Sequence, residues 1–222
     1  EKFIACQKKY KKAILVIGDS HAMDLYNVFN IYSENSFVLG VSQVNCRPHS
    51  ENNKNECHYS KLRDFIKNNE ENIKVIFYTQ KGSYLLSNQN DIPINHDNLI
   101  KTKKYLMSIN SEKYDLVWMG PNIEPNIDIN QKQQVFEIIK KKDFGKYENK
   151  NILLLDNIIR KELKNSKIHF LSKINLINYN AELDWLSVNQ LTYSDKDHWS
   201  TFGEKYFGKK IFSNEEFLNF LK

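Results

Sequence analysis

The chain has no apolar run approaching the ~20 residues that a helix needs to cross a bilayer, although 41% of its 222 residues are hydrophobic and 13% aromatic. It also lacks an internal repeat, a low-complexity linker and any clear break in composition that would mark a domain boundary. These absences exclude a repeat array, a disordered chain and, within these residues, a membrane-spanning helix. What remains is a globular chain long enough to bury a sizeable core, expected as one domain over residues 1–222. It opens on Glu1-Lys2-Phe3, with neither an initiator Met nor a signal-peptide core. It therefore reads as a processed or excised part of a longer protein, with any targeting or membrane segment upstream.

Charge of one sign is not in large excess: 32 basic residues face 27 acidic ones, a net +5. The clusters Lys8-Lys9-Tyr10-Lys11-Lys12 and Lys140-Lys141-Lys142 read as solvated faces, because no nucleic-acid motif accompanies them, and no nucleic-acid partner is expected. Cysteine is scarce, with Cys6, Cys46 and Cys57 only. Cys46 and Cys57 bracket a polar loop without apolar periodicity, which a disulfide would help to fix; two buried thiols are the alternative. A disulfide implies an oxidising compartment. Cys6 is left odd, its partner expected upstream. His49 and His58 complete no zinc-ligand pattern with the cysteines, so no metal is expected.

Short β-branched or aromatic runs alternate with segments of helical period. Ala13–Ile17, Phe37–Leu39, Lys74–Tyr78, Asp115–Met119 and Ile152–Leu155 are near-continuously apolar and are taken as five parallel strands buried on both faces. Ala22, Leu25, Val28, Phe29 and Tyr32 make one apolar helical face, and further helices are expected near 58–69, 97–109, 131–141, 156–164 and 202–213. The segment 171–194 reads as an irregular packed loop, with room for a short extra strand at His169-Phe170. Strand and helix in repetition predict an α/β, three-layer, doubly wound, mainly parallel five-stranded sheet. Such sheets carry their sites at the carboxyl ends of the strands, here the residues after Ile17, Leu39, Tyr78 and Met119.

The first run ends in Gly18-Asp19-Ser20-His21, directly before a helix. A serine there meets unpaired backbone N–H groups and a favourable helix dipole, which suit a developing oxyanion; an ordinary N-cap is the bland alternative. Asp195-Lys196-Asp197-His198 stands near the C-terminus, followed by Thr201 and Glu204 at capping-box spacing, so the last helix is expected to start at Thr201 with His198 on the loop before it. Asp195 can fold back through the turn to accept the Nδ1–H of His198, leaving Nε2 as base toward Ser20. Asp197 competes for that place but, adjoining His198, is expected to face solvent or support the turn.

Together, Gly-Asp-Ser after the first strand and Asp-x-x-His before the last helix resemble the first and fifth sequence blocks of the SGNH, or GDSL-like, hydrolase superfamily. Gly18-Asp19-Ser20-His21-Ala22 resembles the SGNH domain appended to membrane-bound acyltransferase-3 proteins, which O-acetylate surface polysaccharide or peptidoglycan. Asn45-Cys46-Arg47-Pro48 with Cys57 resembles that branch's Cys-x-Pro loop and disulfide, and Val117 through Pro125 resembles its fourth-strand Gly-Pro loop. The resemblance implies a flavodoxin-like SGNH fold. It implies a triad of Ser20, His198 and Asp195, with no metal or cofactor, transferring an acyl group to a glycan acceptor. It also implies an acetyl donor delivered by an upstream transmembrane domain and a periplasmic or outer-face location.

The sequence departs from the superfamily in its oxyanion blocks. No Gly of the second block and no Asn of the third is evident; Asn45 stands near the first place, and Gln80, whose carboxamide carries the same N–H donors, near the second. The Ser20 N–H, Asn45 and Gln80 are thus the oxyanion candidates. Asp19 is expected to hydrogen-bond neighbouring loops, Gly18 to permit a close approach and His21 to pack beside the site. An acetyl-removing esterase and a noncatalytic glycan-binding domain are the alternative readings.

Overall fold

The computed structural model describes residues 2–33, 36–50, 57–87, 93–127, 129 and 131–222. Part of the polar loop bracketed by Cys46 and Cys57, residues 51–56, lies outside the described residues. Five strands, β1 (Ala13–Gly18), β2 (Val38–Ser42), β3 (Ile73–Thr79), β4 (Asp115–Met119) and β5 (His169–Leu171), form one all-parallel sheet in the order β2-β1-β3-β4-β5. The chain winds to one side through β2, then returns past β1 to β3. The loops leaving β1 and β3 therefore diverge over a crevice at the carboxyl ends of these strands.

Alternation of side chains along each strand splits the core in two. Val16, Phe77, Val117 and Met119 face Leu25 and Phe29 of α2 (Ser20–Tyr32), Phe207 of α9 (Thr201–Ile211) and Phe217 of α10 (Glu215–Asn219). Ile17, Ile76, Leu116 and Trp118 face Ile66 of α3 (Tyr59–Asn68), Leu106 of α4 (His96–Ile109) and Leu155 of α6 (Lys150–Leu163). Both faces are covered, which is why these strands read as unbroken apolar runs. Phe77 is fully buried, and truncating it to Ala would cost about 3–5 kcal/mol. The remaining α-helices among the described residues are α1 (Lys2–Tyr10), α5 (Lys132–Lys141), α7 (Lys173–Leu176) and α8 (Ala181–Asp184). Among the described residues no helix is long and apolar enough to cross a membrane.

The fifth strand is not where the apolar run placed it. Ile152–Leu155 lies inside α6, capped by Asn149, whose side chain accepts from the Asn151 N–H. Ile152, Leu155, Ile159 and Leu163 are buried at helical spacing while Leu153 and Leu154 are 37% and 44% exposed. Four apolar residues in a row are too short to separate a strand from one crowded helical turn. The sheet instead ends in the three-residue β5, paired Val117 to His169 and Met119 to Leu171. The expected loop 171–194 is more ordered than its sequence suggests. It holds α7, α8 and a small antiparallel pair, β6 (Leu186–Ser187) with β7 (Gln190–Leu191), and buries Trp185.

Candidate active site

β1 passes into α2 through a turn that only glycine can make. Gly18 has φ +151°, and a Cβ there would lie 1.8 Å from the Thr79 carbonyl oxygen of β3. Asp19, fully buried, caps α2 by accepting from the His21 N–H at 3.0 Å. Its other oxygen accepts from the Lys81 N–H at 3.0 Å and lies 3.9 Å from Arg47, so one carboxylate ties the ends of β1, β2 and β3 together. Ser20 is the first residue of α2, half-buried, with its N–H among the unpaired donors of the helix start.

The opposing loop is equally determined. Ser194 donates its N–H to the His198 carbonyl and Ser200 donates to Thr192, closing residues 192–200 into a tight excursion before α9. The N-cap of α9 is Ser200, whose hydroxyl accepts from the Gly203 N–H at 3.0 Å. This corrects the expected Thr201–Glu204 box, since Glu204 instead accepts from Asn27 of α2. Gly203 permits the arrangement, because a Cβ there would lie 1.8 Å from the Thr192 carbonyl oxygen.

At the tip Asp195 spans its own turn. Oδ1 accepts from the N–H groups of Asp197 and His198 at 2.9 and 2.8 Å, while Oδ2 lies 2.8 Å from His198 Nδ1. His198 Nε2 stands 2.8 Å from Ser20 Oγ. With a carboxylate on Nδ1, that nitrogen carries the proton and Nε2 accepts from the serine hydroxyl. Burial opposes charge on His198, but the hydrogen bond to Asp195 and the fields of Asp24 and Asp197 outweigh it and raise its pKa above the usual 6.5. Burial likewise pushes Asp195 up, and its backbone and imidazole donors more than reverse this, leaving it lowered. The arrangement is a hydroxyl, a base and an orienting carboxylate in one hydrogen-bonded line.

Asp197 does not face solvent. Because Asp195 pins the N–H groups of Asp197 and His198, the turn swings Asp197 inward, where it is 4% exposed. Its Oδ2 lies 2.8 Å from Lys81 Nζ, 3.3 Å from His21 Nε2 and 3.9 Å from His198 Nδ1. Burial pushes its carboxyl up, but the donors His21 and Lys81 overcome this and hold it well below the usual carboxylate range. His21 is fully buried, with Nε2 toward Asp197 and Nδ1 3.4 Å from Asn122 Nδ2. His21, Asp197 and His198 could each offer an atom to one metal ion, all within 4.8 Å of one another. Lys81 already supplies a cation to that carboxylate, and Asp195 takes His198 Nδ1.

Of the oxyanion candidates, Gln80 is buried; its Oε1 accepts from the Tyr78 hydroxyl, and its Nε2 donates to no protein group among the described residues. Asn45 is exposed, has φ +59° and accepts at Oδ1 from Tyr84 at 2.6 Å. Cys46 and Cys57 form a disulfide with Cα atoms 5.3 Å apart, and Cys6 stands free. Sequence reasoning missed Asp24, Lys81, Asn122 and Lys173. Asp24 follows Ser20 by one helical turn and accepts from the Trp199 N–H at 3.2 Å, so α2 periodicity could have found it. Burial raises Asp24 to about 6 against the charges of His21 and His198. Lys81 and Asn122 follow β3 and β4, where chemistry was to be sought. Lys173, fully buried on Thr79 Oγ1 at 2.8 Å and lowered by burial to about 8 against surrounding carboxylates, carries no sequence signal.

The structure is similar to solved proteins over most of its length. It aligns with the periplasmic domain of a lipopolysaccharide acetyltransferase from Salmonella ser. Paratyphi A at 19% identity and TM-score 0.67, covering 95% of this chain and 87% of that one. A carbohydrate acetylesterase family member from Sinorhizobium meliloti aligns at 10% identity and TM-score 0.52, covering 90% and 95%. An acetylxylan esterase from Geobacillus stearothermophilus, a catalytic mutant, aligns at 12% and 0.51, covering 95% and 94%. Such identities speak for the fold alone. No curated protein sequence matches the chain. The family model described as "SGNH domain (fused to AT3 domains)" matches residues 3–212, nearly the whole sequence, and the chain belongs to that family.

Proposed function

We propose that this chain is a single serine-dependent O-acyltransferase domain, which moves an acetyl group through an acyl-enzyme to a hydroxyl of a cell-envelope glycan. The observation that carries this reading is the line from Asp195 through His198 to Ser20, with both contacts at 2.8 Å. Ser20 Oγ attacks the acyl carbon while its proton passes to His198 Nε2, and the tetrahedral oxyanion faces the Ser20 N–H with Gln80 Nε2, and Asn45, as further donors. His198 returns the proton to the leaving group as the Ser20 ester forms. An acceptor hydroxyl then gives its proton to the same nitrogen and attacks the ester, which restores Ser20. None of these steps calls for a metal or cofactor. Gly18, Asp19 and His21 hold the turn that presents Ser20.

The family's description as fused to AT3 domains supports an upstream transmembrane acyltransferase domain as deliverer of the acetyl donor. The disulfide supports a periplasmic or outer-face site, where thiols are oxidised, as does the likeness to a periplasmic domain. Water in place of the sugar hydroxyl would make the same site an esterase, and the acetylesterase likenesses favour keeping that second reading. The test is turnover of an aryl acetate, with intact-mass detection of acetyl on Ser20 and partition between glycan and water. Ser20→Ala should lose turnover by ~10³-fold or more, together with labelling by a serine-directed phosphonate. Retained labelling would remove Ser20 from the mechanism, and product formed only with water would favour the esterase.

A further inference from the structure

His198 has two carboxylates beside it, and they differ in kind. Asp195 has a side chain 40% exposed, whereas the Asp197 side chain is 6% exposed and sits 3.9 Å from the same ring nitrogen. Asp197 is too far from Nδ1 to share its proton, yet close enough for its charge to act on the ring through little solvent. Its position is fixed from outside the loop, by Lys81 following β3 at 2.8 Å and by His21 of α2 at 3.3 Å. His21 is itself pinned by Asn122 following β4. A carboxylate that served only the turn would need none of these partners.

We propose that Asp197 is a positioning residue: clamped by Lys81 and His21, it acts as a second, buried counter-charge to the His198 imidazolium, and Lys81 tempers its strength. The proposal takes His198 to be the base of the reading above. Its signature is a pair of opposite effects. Removing the Asp197 charge takes a negative field from the imidazolium and makes protonation harder. Removing the Lys81 charge leaves Asp197 uncompensated and makes protonation easier. The other charges facing His198 stay as they are: Asp195 on its own loop, Asp24 of α2, Glu124 after β4 acting through Lys81, and Lys173 of α7 acting through Asp24. Lys196, the remaining charge on the loop, is exposed.

The experiment is NMR titration of the His198 ring in isotopically labelled protein, its resonance assigned by its loss in His198→Ala. Asp197→Asn should lower the titration midpoint by about 1 pH unit, Lys81→Gln should raise it, and the double variant should fall between them. Aryl acetate turnover by Asp197→Asn should fall about tenfold in kcat with KM unchanged, as expected when only the chemical step is touched. An unmoved midpoint in Asp197→Asn, or displacement of both single variants in the same direction, overturns the proposal. Should Asp197→Asn fail to fold, Lys81 decides: a raised midpoint in Lys81→Gln with a wild-type midpoint in Lys81→Arg upholds the idea, and no change in Lys81→Gln defeats it. Because titration needs no turnover, an inactive wild type would count against acyl transfer while leaving the counter-charge role to be judged by the midpoints.

Discussion

His21 and His198 stand side by side, with ring centroids 5.2 Å apart and Asp197 within reach of both, yet the regions that hold them are built in opposite ways. The start of α2 is sealed: His21 is fully buried and both its nitrogens face protein partners. The 192–200 loop is half open, leaving His198 with a side chain 28% exposed and one nitrogen directed at the Ser20 hydroxyl. An imidazole does proton chemistry only where a nitrogen can exchange partners during a reaction. Both rings have a protein partner at each nitrogen; the difference is that the partners of His21 are buried while His198 Nε2 meets the half-buried Ser20 hydroxyl, which suits the proposed roles of strut for His21 and base for His198. Side-chain type is therefore a poor guide to role within such a pair, and the second partner of each ring is a good one.

The widest separation between the two regions should come from truncating each ring. His198→Ala should lose turnover by ~10⁴-fold or more with little change in unfolding temperature, because a half-exposed loop residue leaves no large cavity. His21→Ala should show the reverse balance, an unfolding free energy lower by about 2–4 kcal/mol from a buried hole and stranded partners, and a smaller loss of turnover. Parallel aryl acetate assays and thermal melts measure both. Equal catalytic losses from two stably folded variants would end the distinction between strut and base.

A smaller effect is expected at the carboxylate. Asp195→Asn keeps the turn, since its remaining oxygen can still accept from the N–H groups of Asp197 and His198, but it offers an amide to Nδ1 and favours the wrong tautomer. The expected loss is ~10³–10⁴-fold, with circular dichroism unchanged. The wild-type pH profile belongs to the same argument. On the proposed mechanism the base works deprotonated, and the pKa of His198 is raised, so kcat/KM should climb with pH through a midpoint above about 6.5, the ordinary imidazole value. A rising limb below that value would mean that the fields of Asp24, Asp195 and Asp197 do not act on the working form.

Much of this was legible before any coordinates. Gly18 through His21 and Asp195 through His198 are short local motifs whose geometry follows from a strand end, a helix start and a three-residue turn, and β1, β3 and β4 are continuous apolar runs because both their faces are covered, whereas the edge strand β2 is only partly covered. What could not be read was long-range. Asp197 reads from the sequence as pointing outward because its partners, Lys81 and His21, lie 116 and 176 residues away in the chain. Lys173 looks like any surface lysine until β3 supplies Thr79 as its partner. The short strand allowed at His169-Phe170 is indeed β5, but that it closes the main sheet beside β4 could not be read from three residues, and the apolar run Ile152–Leu155 inside α6 imitated it. Local patterns specify local geometry, and a buried ion pair is specified by the fold that brings its halves together.

The smallest expected catalytic effect lies at the disulfide, and it tests whether the rim is separable from the reacting line. Cys46 and Cys57 are 11 residues apart in sequence. Opening a loop of this size returns conformational entropy to the unfolded chain worth about 2–4 kcal/mol, a fall of roughly 5–15 °C in melting temperature for a domain of this length. The bond bears on the site through the two neighbours of Cys46: Asn45, a proposed outer oxyanion donor, and Arg47, whose guanidinium lies 3.9 Å from Asp19 and over the Tyr84 ring. Asp19 keeps its contacts with His21 and Lys81 when Arg47 loosens, so Ser20 should stay aligned with His198. Reduced protein, assayed well below its lowered melting temperature, should retain turnover within about threefold. The Cys46→Ala/Cys57→Ala variant should behave alike, which separates loss of the bond from any effect of the reductant. A catalytic loss approaching that of Asp195→Asn, in protein that remains folded, would mean that the Arg47 loop belongs to the reacting site and would place the boundary between strut and machinery on the β2 side of Ser20.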